Sequence, residues 1–499
     1  MATGRGTALL LLVPLFIASI AYVAGSRDLQ VQCNALAVLV VASLVVRIDR
    51  RLMPDWIIGP GTFFCLHHVA AYSVSPLGQL WFFGEVKRSV DLDGFIMAQQ
   101  GAIIGLATWV LIYPSVFKAI FKAVAAKTKG RSSDTRFKSS WESYGIALLF
   151  LGILILAYQV AVGLSRIGAQ GANVEAGQAS VYSAFSLTPV VALCFLAHSA
   201  ARRGGSHTGL WLVSFLTFVL WNCLDGGRAG MIMAGVSSAC GLCYGGVGRK
   251  KLVYGGLLAA FLFVPIFGLV RGYRDTYSGN AGSLSERTAN FLNALAAYRS
   301  GITSVAQASQ DFLARISPDP VDSVFLMTPG VFPYAGFSEV DAIKYVYAPG
   351  FLFGDRPDLI DGNRLCIEYG TARSGSVGNS MSVVADGYRR FSWPGIAILY
   401  SIIASCCAVL VACAWNLRDR PEWIATMLVL LLSLTGESTL ATLLSTLYFV
   451  LWTFPKYFLY FWAISFVLRS RGASIRVLKR LPIRGRLATG GDCINGRPY

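Results

Sequence analysis

Long apolar runs separated by short polar segments recur along most of the chain. A helix needs roughly 20 apolar residues to cross the hydrocarbon core of a bilayer. Runs near that length lie at 8–26, 31–46, 56–75, 95–116, 143–164, 181–199, 209–224, 229–247, 252–270, 394–416, 422–436 and 440–468. They predict an all-α polytopic membrane protein with about twelve spans. One stretch breaks the rhythm, since between Arg271 and Trp393 no run is long enough to span. The chain therefore divides into an N-terminal membrane bundle (1–270), a large polar segment (271–393), C-terminal spans (394–468) and a basic tail (469–499). The run from Ala8 to Gly25 is read as a first span and not as a signal peptide, because no cleavage site follows it and more spans do. The last run carries Pro455 and Lys456 and is long enough to be bent.

The large segment has two parts. Ser283-Leu-Ser-Glu286 has the form of a capping box. Phe291, Leu295, Tyr298, Ile302 and Val305 then recur at spacings of four and three, an apolar stripe that predicts an amphipathic helix lying against the membrane or the bundle. From Ser317 onward, Pro318, Pro320, Pro329, Pro333, Pro349 and Pro357 interrupt helical continuity and predict a loop over the bundle. Phe325, Phe332, Tyr334, Phe337, Tyr345 and Tyr347 need burial, so this loop is ordered.

Composition agrees with the pattern. The 499 residues are 55% hydrophobic and 14% charged, with a mean hydropathy of +0.57, a balance that one soluble core could not hide. The net charge of +17 would suggest nucleic acid in a soluble protein. Here the basic residues cluster in alternate loops: Arg47, Arg50 and Arg51; Lys118 to Lys138; Arg202 and Arg203; Arg249 to Lys251; Arg418 and Arg420; and the tail. If the spans alternate, every cluster falls on one side, which the positive-inside rule makes cytoplasmic. Both termini are then cytoplasmic and segment 271–393 faces outward, with no nucleic-acid partner. The cysteines sit mostly inside apolar runs, without zinc spacing or a disulfide framework.

Arginine is the main chemical signal. Arg228, Arg271, Arg274, Arg287, Arg299, Arg315, Arg356, Arg364, Arg373, Arg389 and Arg390 all fall outside, where the topology rule predicts depletion. A guanidinium binds phosphate through two parallel bonds and keeps its charge. The alternative is pairing with the acidic residues of the same segment. Arg228 and Arg271 stand apart, each at a span boundary beside glycine, with Asp225 and Asp275 as the nearest acids. For proton transfer the candidates are Asp386, next to Tyr388 and Arg389 just before the tenth span, and Glu368, Asp355 and Asp361. No histidine lies in 271–393. Asp91-Leu-Asp93 has a spacing used for divalent ions, but the pattern arises readily in polar loops, so neither metal nor cofactor is expected. No nucleotide-binding, zinc-protease or serine-hydrolase motif occurs in a suitable context.

Arg228-Ala-Gly230 at a span start, the arginine-bearing outward segment, and the run Gly378-Asn-Ser-Met-Ser382 to Asp386-Gly-Tyr-Arg-Arg-Phe-Ser-Trp-Pro-Gly395 together resemble the bacterial O-antigen polymerases of the Wzy type. Asp386, Tyr388, Phe391 and Gly395 match the family's approach to the span after the large loop; Arg-Ala-Gly replaces its Arg-Gly. The resemblance implies a GT-C-like membrane glycosyltransferase of the bacterial inner membrane. Such an enzyme joins oligosaccharide repeat units carried on undecaprenyl pyrophosphate, alongside a protein that regulates chain length. For that chemistry the expected catalytic residues are Asp386, Arg228 and Arg271. Arg274, Arg299, Arg356, Arg373, Tyr388 and Arg389 would bind the substrate. O-antigen ligases share this architecture but typically use a histidine in the large loop. A permease or flippase would show internal repeats and broken helices meeting at the midplane, and no repeat is evident.

Overall fold

The computed structural model describes residues 25–53, 59–86, 92–128, 141–161, 185–225, 228–248, 250–252, 254–256, 266, 268–270, 273, 284–299, 313, 321–338, 340–345, 365, 367–369, 382–416, 420–435 and 442–480. Every element among them is helical. In chain order they are α1 (Arg27–Leu52), α2 (Pro60–Val69), α3 (Ser75–Phe83), α4 (Leu92–Thr128), α5 (Trp141–Ala161), α6 (Thr188–Arg203), α7 (Ser206–Asp225) and α8 (Arg228–Tyr244). Then come α9 (Leu284–Arg299), α10 (Val321–Met327), α11 (Val383–Asn416), α12 (Pro421–Thr435), α13 (Leu443–Tyr448) and α14 (Phe454–Arg480). Among the described residues, six helical stretches are long and apolar enough to cross a membrane, and two shorter apolar helices accompany them. The chain is thus an all-α, membrane-embedded protein. Most predicted spans coincide with helices; run 8–26 and most of 252–270 lie outside the described residues.

The core forms where α11 packs along α4. Gly101 and Gly105, one turn apart on α4, make the contact possible: a β-carbon at Gly101 would stand 2.5 Å from a Val384 methyl, and one at Gly105 would overlap the Tyr400 ring. Small residues at this spacing let membrane helices pack by van der Waals contact where apolar burial gives little drive. Tyr400 also meets His68 Nε2, whose other ring nitrogen lies 2.9 Å from the Phe64 carbonyl oxygen.

Between α2 and α3 the helix widens into a π turn, Ala70–Val74. Pro76 has no N–H to return to the carbonyl four residues back, which belongs to Tyr72. Gln99 Nε2 donates to that carbonyl instead, at 2.9 Å. A second π turn, Phe449–Thr453, sits just before Pro455, where the sequence predicts a bend.

Polar contacts gather at two ends. At one, Arg27 pairs with Asp93 (2.7 Å) and the residues around Asp386 meet the start of α13. At the other, Arg203 and His207 meet Glu142, Asn416 Nδ2 donates to the Phe121 carbonyl, and Glu422 pairs with Arg469 (2.7 Å). Each of these contacts joins segments that strict alternation of the predicted spans puts on the same side.

Helix α9 covers the start of the predicted amphipathic stretch. Phe291 packs edge-on against Tyr273 (5.5 Å between centroids), while Leu292 and Leu295 stay exposed. Tyr298, Ile302 and Val305 lie outside the described side chains.

Candidate functional site

Helix α11 breaks at Phe391 and Ser392, the latter in the left-handed region at φ 60°. Pro394 follows and cannot bond the carbonyl of Arg390. That carbonyl accepts from Gly336 N (3.1 Å), and the Arg389 carbonyl accepts from Ala335 N (3.0 Å). The turn 335–336 thereby satisfies backbone acceptors that the break leaves open. The first two turns of α11 fold back on the span proper, so that Gly387 and Gly395 touch backbone to backbone. A β-carbon on Gly387 would stand 2.7 Å from Ile396 Cα, and one on Gly395 would overlap the Gly387 carbonyl. The glycine eight residues after Gly387 is a condition of this corner.

Ser382 caps the folded-back turns, its Oγ accepting from Ala385 N (3.2 Å) and from the Tyr72 hydroxyl (3.2 Å). Asp386 comes next and is completely buried. Its Oδ1 accepts from Arg389 Nη2 (2.8 Å), and its Oδ2 from Arg390 Nε (3.0 Å) and from Leu443 N (2.8 Å). Leu443 N is one of the donors that the start of a helix leaves without an intrahelical partner. Arg390 Nη1 continues to the Gly336 carbonyl at 3.0 Å. One carboxylate thus ties the corner of α11, turn 335–336 and the start of α13 together, with both guanidinium groups buried beside it.

Aromatic rings line this hub. Tyr388 stacks on Phe325 (4.1 Å) and meets Trp393 (5.5 Å) and Tyr334 (6.3 Å) edge-on. Tyr334, Phe337 and Val331 remain exposed. Tyr369 pairs its hydroxyl with Thr328 Oγ1 (3.0 Å), and burial pushes that phenol above its ordinary pKa.

A second polar corner lies where α7 ends and α8 begins. The Leu224 carbonyl accepts from the Tyr273 hydroxyl (3.2 Å) and from Arg287 Nη1 (3.3 Å). Arg287 is only 7% exposed, its Nε has no hydrogen-bond partner, and no carboxylate among the described residues stands within ion-pairing distance of it. Cys223, Met231 and Val270 form an apolar floor with Phe291 packed against it.

Of the residues singled out in the sequence, Asp386, Tyr388 and Arg389 come together in the hub. Arg228 is the first residue of α8 and Arg299 the last of α9, both with side chains outside the described set. Arg271, Arg274, Arg356 and Arg373 lie outside the described residues, as do Asp91, Asp355 and Asp361. Glu368 is described and exposed. Asp93 pairs with Arg27, and no group of three metal-ligating side chains is found among the described residues. Sequence reasoning undervalued Arg390 and Arg287. The first was legible, since Asp386, Arg389 and Arg390 stand at the three- and four-residue spacings of one helix face. The second was not, because only the fold sets it on Leu224, 63 residues away. Set against protein-family models, curated proteins and solved structures, the chain matches none of them.

Proposed function

We propose that the chain is a membrane glycosyltransferase that polymerises oligosaccharide repeat units carried on undecaprenyl pyrophosphate. In this reading it spans the bacterial inner membrane about twelve times in a GT-C-like arrangement, with both termini cytoplasmic and the Asp386 end facing out. The observation that carries it is the buried Asp386 hub, which holds two arginines in fixed positions beside an aromatic surface. Aromatic faces suit sugar rings, and fixed guanidinium groups suit the charge that grows on a departing pyrophosphate. Nucleotide sugars are not available outside the cell, so a donor there arrives on a lipid. The resemblance to Wzy polymerases points the same way, and a chain-length regulator is the partner it implies.

In the reaction an acceptor hydroxyl attacks the anomeric carbon of the donor. The bond from that carbon to the pyrophosphate oxygen breaks, and the hydroxyl proton passes to a carboxylate. Asp386 is poorly placed for the last role, because it is completely buried and already accepts three hydrogen bonds within the hub. We assign it the positioning of Arg389 and Arg390. Glu368, exposed beside Tyr369, is the better acceptor among the described residues.

The test is in cells lacking the chromosomal copy and complemented with variants. Arg228→Ala and Arg271→Ala are expected at normal abundance and Arg389→Gln at reduced abundance, each with single repeat units accumulating per molecule of enzyme. The expected loss is about a hundredfold in rate, or ~3 kcal/mol of transition-state stabilisation each. Wild-type polymer in all three would remove arginine from the chemistry. Polymer that forms but fails to reach its final acceptor would favour the ligase.

A further inference from the structure

A fully formed ionic network surrounds Asp386, whereas no carboxylate among the described residues pairs with Arg287. Its guanidinium is buried, donates to the Leu224 carbonyl and bonds the Tyr273 hydroxyl, and leaves Nε unused. Arginine near a helix C-terminus often serves as a cap there. A cap needs one or two of the five N–H groups, and it does not neutralise the charge. A buried cation without a counter-ion is costly unless an anion supplies the missing bonds and charge. Helix α8 starts three residues beyond Asp225 with Arg228, and its first N–H groups are the kind that receive anions. The Tyr273 hydroxyl, which shares the Leu224 carbonyl with Arg287, adds a polar group to the same corner. Burial raises its pKa against the opposing influence of Arg287, so it is present as a neutral hydroxyl.

We infer that Arg287 is the centre of a phosphoryl-anion site at the corner where α7 ends, α8 begins and α9 crosses them. The anion takes Nε and a neighbouring N–H of the guanidinium side by side, the geometry that favours arginine over lysine for phosphate. The site deepens the glycosyltransferase reading, on which it rests for one point only: that the phosphoryl group belongs to a lipid-linked pyrophosphate. A site for free pyrophosphate would have the same chemistry.

Purified full-length protein in nanodiscs of zwitterionic lipid allows the test. The thermal midpoint is followed while inorganic pyrophosphate or geranyl pyrophosphate is titrated into wild type, Arg287→Gln, Arg287→Lys and, as a control from the opposite end, Arg203→Gln. Pyrophosphate is expected to raise the midpoint of wild type and of Arg203→Gln. Arg287→Gln should need at least ten times the concentration for the same shift, and Arg287→Lys should fall between. The response to anion decides, not the midpoint alone: a mere helix cap would lower the midpoint of Arg287→Gln and leave its response intact, which overturns the site. Absence of any response in wild type overturns it too. Should Arg287→Gln fail to fold, an Arg287→Lys response equal to wild type overturns it. Geranyl pyrophosphate acting well below the concentration of inorganic pyrophosphate assigns the site to a lipid-linked ligand; equal potency rejects that source and keeps the anion site. A lost response in Arg287→Gln together with normal polymer in cells would keep the site and sink the polymerase reading instead.

Discussion

The two polar ends of the bundle handle buried charge differently. At the Glu422 end, Glu422 is buried and pairs with Arg469, which keeps 35% of its side chain exposed, and Ser465 donates to the same carboxylate at 2.9 Å. The cation there retains access to water, and the contact fastens α12 to α14. At the Asp386 end two guanidinium groups are buried against one carboxylate, and a third, Arg287, is buried against a carbonyl. Burying cations to this degree is expensive and contributes little to stability. A bundle that needed only fastening could use the Glu422 arrangement at both ends. In the proposed reading, the Asp386 end is a site prepared for a negatively charged ligand.

The largest effect is expected from Asp386→Ala. It leaves Arg389 and Arg390 without their shared carboxylate and frees the start of α13, a loss of about 3–5 kcal/mol that should show as low abundance in the membrane. Normal abundance and melting would mean that the hub is not the structural centre of its end. Next comes Gly395→Ala, whose methyl would overlap the Gly387 carbonyl. A cost of about 1–3 kcal/mol is expected, with polymer lost out of proportion to stability because the corner that aims Arg389 and Arg390 has opened. Glu422→Gln should cost about 1–3 kcal/mol in the same melting assay while polymer length stays unchanged; a polymer defect at wild-type stability would erase the contrast between the ends. Smallest is Tyr72→Phe, which removes one hydrogen bond to Ser382 and about 0.5–1.5 kcal/mol. It is best read as faster hydrogen exchange at the amides of Ala385 and Asp386, and unchanged exchange there would detach Tyr72 from the hub.

Much of this organisation was legible in the sequence because its causes are local. Apolar length alone marks the helices, and Pro76 and Pro455 mark their irregular turns. Pro394 and the glycine pair explain why the predicted span 394–416 lies within a longer helix that folds back before it. Asp386 could be singled out by position, but its role could not, since the Leu443 N–H and the Gly336 carbonyl reach it and Arg390 through the fold. The stripe from Phe291 to Val305 predicts a helix lying against the membrane or the bundle. Arg287 and Phe291 anchor the first half to the bundle, and Leu292 and Leu295 are exposed. Periodicity reports which face is apolar, not what covers it.

The most direct test of the proposed chemistry uses the protein alone. Wild type and the double variant Arg389→Gln/Arg390→Gln are reconstituted in liposomes with a lipid-linked repeat unit, and products are resolved by length on a gel. Wild type should convert single units into a ladder of longer products. The double variant, incorporated to the same level, should leave the substrate as single units. A ladder of equal length and rate from both proteins, or no ladder from wild type with substrate appearing across the bilayer, would contradict the polymerase.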